Sequence, residues 1–234
     1  MAEFITPKRR MRPAHLAILA CFGAAATSPT MAVTVQRATY GELATVMVGR
    51  VPHNRLSHKP TTITNSISKG PGSATSTESV APMPQPTLSS SGTTTGRGEA
   101  SGGSSMSYYF QIVGPQPVAV PVIMTVSGML SGTSKKISSG AKAEIITNLG
   151  SFVYPIDTSC PGSCGGYNVP KTENISAWTK QQPAGPNVVE LYVSSDVSKP
   201  GSASATLSLT LEIDPTFPHA SKYHIILSKG VGNP

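Results

Sequence analysis

The sequence predicts an all-β protein: an antiparallel β-sandwich, jelly-roll-like, behind a low-complexity N-terminal region. Three observations predict it. Charged residues make up 12% and aromatic residues 6% of the 234 positions, where an average soluble chain carries about a quarter charged residues. Gly (22) and Pro (21) punctuate the chain throughout, which suits many short strands joined by turns. Several segments alternate aliphatic with small polar residues, the period of two that a half-buried antiparallel strand needs.

The N-terminus reads as an address rather than as structure. Lys8, Arg9, Arg10 and Arg12 precede an apolar stretch from Ala14 to Ala26. That stretch is shorter than the ~20 residues a membrane span requires, and small residues follow it. Residues 1–32 are therefore expected to be a secretory signal peptide, with cleavage after Ala32 or near Ala24–Ala26. Ile18-Leu19-Ala20-Cys21 is close to a bacterial lipobox, so lipidation of Cys21 is an alternative.

The domain division expected from composition is 1–32 signal peptide, 33–103 flexible region with weak strands, and 104–234 β-sandwich. In residues 33–49, Val33 and Val35 and then Leu43, Thr45 and Met47 alternate with their neighbours and predict one or two strands. Residues 50–105 are dominated by Ser, Thr, Gly and Pro. A segment so poor in large apolar groups is expected to bury too little surface to offset its ordering entropy.

From residue 106 strands follow one another. "MSYYFQIVG" ends at Gly114-Pro115. "PVAVPVIMTVSG" carries Pro115, Pro117 and Pro121, which cannot donate to a ladder and place the run at a sheet edge or a bulge. "AKAEIITNLG", "SFVYPID", "ENISAWTK", "NVVELYVSSDV" and "KYHIILSKG" are further strands. In "ATLSLTLEI", Leu207, Leu209, Leu211 and Ile213 share one face, opposite Ser208, Thr210 and Glu212. No internal repeat occurs at a fixed period.

Loss of Cys21 with the signal would leave two cysteines, Cys160 and Cys164, in "DTSCPGSCGGYNVP". An oxidising compartment and the turn-forming Pro161-Gly162 favour a disulfide between them. So short a loop is worth about 2 kcal/mol in the chain-entropy model. A zinc site would need two more ligands, and His219 and His224 are the spaced pair on offer, but "FPHASKYH" reads as a turn into a strand. No metal and no cofactor is expected.

The stretch "SYYFQIVGP…VPVIMTVSG", followed by "IDPTFPHASKYHIILSKGVGNP", resembles exported bacterial proteins of the PEP-CTERM and VPLPA-CTERM kind. The residues that carry the resemblance are Ile213-Asp214-Pro215, Phe217, Tyr223, Ser228, Gly230, Val231, Gly232 and Asn233. The sorting tail that ends such proteins has no counterpart up to Pro234. The resemblance implies export and a β-rich fold, and it implies no activity.

Catalytic motifs are absent from the sequence. There is no G-x-S-x-G, no P-loop, no dinucleotide fingerprint and no EF-hand loop. Glu212 and Asp214 would share a strand face, but that face points to solvent, and Asp214-Pro215 is expected to start a turn. The formal charge of +7 is scattered, with +3 of it in residues 1–32, so no nucleic-acid surface is expected. What remains is a soft signal for sugar binding: Trp178, the only tryptophan, with Tyr154 and Tyr167 beside the cysteine loop. Packing of Trp178 at a sheet edge is the competing reading.

The expectation is thus a secreted, non-catalytic sandwich protein of the bacterial cell envelope or extracellular matrix. Its partners would be extracellular polysaccharide or envelope components, without nucleic acid and without a transmembrane span in the mature chain. A carbohydrate-binding module and an exported hydrolase of unrecognised site are the alternatives.

Overall fold

The computed structural model describes residues 35–49, 52–115, 118–133, 137–147, 150–160, 164–168, 171–178 and 187–233, with side chains described outside 134–186. The signal-peptide, Cys21 and lipobox assignments lie outside these residues.

Among the described residues there are fourteen strands. They are β1 Thr39–Val48, β2 Pro52–Ser57, β3 Thr62–Lys69, β4 Gly72–Ala81, β5 Thr87–Thr95, β6 Gly98–Val113, β7 Ala119–Gly132, β8 Ile137–Thr147, β9 Gly150–Cys160, β10 Cys164–Asn168, β11 Lys171–Trp178, β12 Asn187–Val197, β13 Gly201–Ile213 and β14 His224–Leu227. A short 3₁₀ turn, Ala220–Lys222, precedes β14. Sheet A runs β2-β1-β6-β12-β8-β9, and sheet B runs β10-β7-β13-β5-β4-β3. Every pairing is antiparallel.

Register places the two remaining strands. β6 pairs with β12 through Phe110 and with β14 through Phe110 to Val113, so β14 prolongs the β1 edge of β6. β13 covers one side of β7, and β10 and β11 share the other. The chain crosses between the sheets repeatedly, as β5→β6, β6→β7, β7→β8, β12→β13 and β13→β14 each change sheet. The protein is an antiparallel β-sandwich, as its alternating segments predict.

The main core lies between β6 and β12 of sheet A and β7 and β13 of sheet B. Met106, Tyr108, Phe110 and Ile112 face Val122, Met124 and Val126, with Leu191, Val193, Leu207, Leu209 and Leu211 between them. The period of two in "ATLSLTLEI" is realised: Leu207, Leu209 and Leu211 are buried, Ile213 packs partly against them, and Glu212 is exposed.

Two expectations are corrected. The described residues 35–49 and 52–103 are not a region outside the domain. Strands β1 to β5 belong to the same two sheets, and β6 runs through the expected boundary at 103/104. The physical reason is the size of the inward residues. At this end they are Ala74, Ser76, Ser90, Gly92, Ala100, Gly102 and Ser104. A Cβ on Gly92 would come within 3.2 Å of the Ala100 Cβ and 3.3 Å of Val197. Small side chains let the sheets approach until hydroxyls bond across the gap. Ser104 Oγ donates to Ser89 O (2.9 Å), Ser76 Oγ to Ser101 O (3.2 Å), and the Ser90 and Ser195 hydroxyls meet at 2.7 Å. Hydrogen bonds, each worth about 1 kcal/mol net, do here what aliphatic burial does at the other end.

Second, β7 is an interior strand despite Pro121. Its ladder with β13 ends at Val122–Ile213. Beyond it Asp214 N donates to Pro121 O (3.0 Å), and the Asp214 carbonyl that an N–H at 121 would have used accepts Phe217 N instead (3.0 Å). The missing donor falls where the strand yields to a turn.

The C-terminal segment closes the sandwich. Ser228 Oγ accepts from Tyr109 N (2.9 Å) and donates to Gln36 O. Asn233 mimics a strand residue: Leu211 N donates to its Oδ1 (3.0 Å) and its Nδ2 donates to Leu211 O (2.6 Å). Phe217 and Tyr223 meet edge-on at 5.5 Å. Gly230 has φ +85°, open to glycine without strain.

Candidate functional site

The outer face of sheet A carries two surface depressions among the described residues. β1, β6 and β12 lie side by side and send alternate residues outward. Those of β6 include Ser101, Gly103, Ser105 and Ser107, and those of β12 include Glu190, Tyr192, Ser194 and Asp196. Gly41 and Gly103 remove side chains from the middle of this face. The Tyr192 ring lies against Gly103, where an added Cβ would come within 3.2 Å of its hydroxyl and 3.3 Å of its Cε2.

Tyr192 therefore stands between two depressions. One, of about 470 Å³, is bordered by Leu43, Leu56, Ser101, Ser194 and Asp196. The other, of about 390 Å³, is bordered by Thr39, Tyr40, Ser107 and Glu190. Tyr192 is 45% exposed, Leu43 44% and Leu56 60%. From Glu190 to Asp196 the face spans about 20 Å, at roughly 3.4 Å per residue. An apolar ring and two aliphatic side chains bordered by hydroxyls and two carboxylates can stack on a ligand's flat apolar face and hydrogen-bond its polar rim.

Beneath this face lies a buried polar layer that divides the interior. It separates the main core from a small cluster of Val46, Val48, Ala74 and Ala100. It holds Glu42 of β1, Ser76 and Glu78 of β4, Ser90 of β5, Ser104 of β6 and Ser195 of β12, all at most 1% exposed. Glu42 Oε1 accepts Thr61 N (3.3 Å), and Glu78 Oε1 accepts Ser76 Oγ (2.9 Å). The two Oε2 atoms are buried without a partner. Burial raises the Glu78 carboxyl to about 7; the hydroxyls of Ser90, Ser76 and Ser104 pull it down, and the charge of Glu42 pushes it up. Gly102 makes room for this group, since a Cβ there would overlap the Glu78 carboxylate.

The residues singled out in the sequence are dispersed. Tyr154 stands in β9 of sheet A at the register position of Ala143. Tyr167 and Trp178 stand in sheet B, opposite Leu130 and Ala119 of β7. Eleven positions along β7 are roughly 37 Å, so the two do not form one site. The backbones of Cys160 and Cys164 end β9 in sheet A and begin β10 in sheet B. The side chains of all five, and the disulfide, lie outside the described residues. His219 and His224 are exposed on either side of the 3₁₀ turn. Among the described residues no group of three or more His, Cys, Asp or Glu could hold a metal ion, and no helix is long and apolar enough to cross a membrane. Asp214 starts the expected turn: its Oδ1 accepts Thr216 Oγ1 (2.7 Å) and N (2.8 Å), which lowers its carboxyl.

Tyr192, Glu42 and Glu78 were not singled out in the sequence. Parity could have found them. Glu42 shares its strand face with Ala44, Val46 and Val48; Glu78 shares its own with Ala74 and Val80; Tyr192 falls opposite Val189, Leu191 and Val193.

No family model and no curated protein matches the chain. Among solved structures it has a likeness to a carbohydrate-binding module, TmCBM61 in complex with beta-1,4-galactotriose, at 10% identity and TM-score 0.24, over 65% of this chain and 88% of that one. A second likeness is to infectious bursal disease virus, Gx strain, at 8% identity and TM-score 0.26, over 81% of this chain and 60% of that one. At these scores neither likeness carries an argument about function.

Proposed function

We propose that this is a secreted, non-catalytic β-sandwich protein of the bacterial envelope or extracellular matrix, and that it binds a neutral polysaccharide along the outer face of sheet A. The observation that carries the binding face is Tyr192, exposed over a glycine floor between two polar depressions. Glu190 and Asp196 border those depressions, which disfavours an acidic chain. The two carboxylates lie about 20 Å apart along β12, well beyond the roughly 5–10 Å at which glycosidase carboxylates work as a pair. Glu42 and Glu78 are closed off between the sheets. Binding rather than hydrolysis is the reading these distances support. Export rests on the basic and apolar N-terminus and on the resemblance of residues 213–233 to exported bacterial proteins.

Affinity electrophoresis of the purified protein through gels containing neutral polysaccharides tests the binding face. Tyr192→Ala should weaken retention about tenfold, the equivalent of ~1.4 kcal/mol. Met129→Ala, at an exposed position on sheet B, should leave retention intact. A protein that no glycan retards, or a Tyr192→Ala variant retained like the parent, overturns the proposal.

A further inference from the structure

We propose that Glu42 and Glu78 hold one proton between their two unpartnered Oε2 atoms, and that this carboxyl–carboxylate bond ties sheet A to sheet B under acidic conditions and is lost as the pH rises past neutral. Glu42 comes from β1 of sheet A and Glu78 from β4 of sheet B. Glu42 is the register partner of Ser104, and Ala44 that of Gly102. The Glu78 carboxylate lies over Gly102, within overlap distance of any side chain placed there. Both acids thus converge on one stretch of β6. Thr61 ties them from the other side, its N–H bonded to Glu42 and its carbonyl accepting Val80 N (2.9 Å), two residues from Glu78.

Each carboxylate has one satisfied and one orphaned oxygen. Two ionised carboxylates sealed from water would repel each other and leave both orphans unsolvated. One proton resolves both faults: Glu78 Oε2–H donates and Glu42 Oε2 accepts. A metal ion is the other way to supply positive charge. Calcium takes six to eight oxygen ligands, largely carboxylates and carbonyls, and among the described residues no group of three or more His, Cys, Asp or Glu could hold a metal ion.

No cation faces the pair among the described residues. β1 otherwise turns inward only Tyr40 as a titratable group, and β6 only Tyr108, whose phenols burial pushes up. β5 has none. β2 carries His53 and Arg55, and β3 carries Lys69, all exposed to solvent; Glu190 and Asp196 of β12 face outward.

The test is equilibrium urea unfolding of the full chain at steps from about pH 5 to about pH 8, with chelator and with excess calcium. The urea midpoint should fall as the pH rises. Glu78→Gln, permanently uncharged and able to donate to Glu42, should flatten that slope. In the parent protein, infrared spectroscopy should find a protonated-carboxyl stretch that persists after the other carboxyls have ionised. This measurement needs no variant to fold. A pH-independent midpoint, a slope unchanged in Glu78→Gln, or no such band would overturn the proposal. So would a midpoint that calcium raises and chelator lowers, which would mean that a cation occupies the pair.

Discussion

Replacing Gly102 by Ala is the sharpest probe of the narrow half of the sandwich. The added methyl points inward from β6, where its Cβ would overlap the Glu78 carboxylate, lying 2.6 Å from the carboxyl carbon and 2.7 Å from Leu43 O. Glu78 could swing away only by giving up its bond from Ser76, and the Leu43 carbonyl belongs to the β1–β6 ladder and cannot swing at all. Overpacking of this kind costs about 1–3 kcal/mol. Loss of a hydrogen bond to a buried carboxylate adds about 1.5–3 kcal/mol. The expected total is roughly 2.5–6 kcal/mol, a large part of the stability of a typical domain. Urea unfolding reads it as a lower midpoint at unchanged slope. Ser101→Ala, one residue away and facing solvent, should stay within about 0.5 kcal/mol of the parent. Glu78→Ser removes the object of the overlap, so Gly102→Ala should cost less in that background, with a coupling of about 1–3 kcal/mol. If Gly102→Ala alone costs less than about 0.5 kcal/mol, the sheets are not as close here as described, and the account of the small-residue half fails.

A fragment beginning at residue 104 should not fold, because β13 would lose its β5 partner from Gly201 to Ser208 and β6 would lose the whole of β1 and its own residues 98–103; circular dichroism and amide proton dispersion would show an unfolded chain. Intact mass of protein exported from a bacterial host should place cleavage near Ala32, with Cys160 and Cys164 alkylated only after reduction. A retained N-terminus or freely alkylated thiols would count against export and the staple respectively.

The legible parts of the fold were those where period and hydrophobicity agree. β12 carries Val189, Leu191 and Val193 and β13 carries Leu207, Leu209 and Leu211 at alternate positions, and their faces could be read directly. β4 and β5 have the same period but almost none of the hydrophobicity. "GSATSTESVA" turns Gly72, Ala74, Ser76, Glu78 and Val80 inward, and composition hides a pattern that parity would show. In β1 the strand was visible but its buried face was not: Leu43 faces out, while Ala44, Val46 and an acid face in. A buried glutamate defeats any rule that assigns faces by polarity. The candidate site was hidden for a different reason. Tyr192 becomes conspicuous only because Gly103 of the neighbouring strand leaves the ring an open floor, and that neighbour is 89 positions away along the chain.

The two halves of the interior are stabilised by different physics, and they should respond differently to conditions. The apolar half depends on buried surface, which is indifferent to pH. The narrow half depends on hydroxyl bonds and on a carboxyl that burial holds at about 7 rather than 4.5. Between those two values the folded state keeps a proton that the unfolded chain has lost. Stability is therefore highest below about pH 4.5 for this group and falls as pH rises through the interval. At about 1.4 kcal/mol per unit the full loss is roughly 3 kcal/mol. Such a loss would fall on the end of the sandwich that holds the fewest aliphatic side chains to absorb it. Any alkaline loosening should therefore begin among β1, β4 and β5, while amides of β7 and β13 stay protected. Hydrogen exchange compared at acid and alkaline pH, after correction for the intrinsic rate, separates this graded opening from uniform unfolding: equal loss of protection in β5 and β13 would show that the interior behaves as one unit.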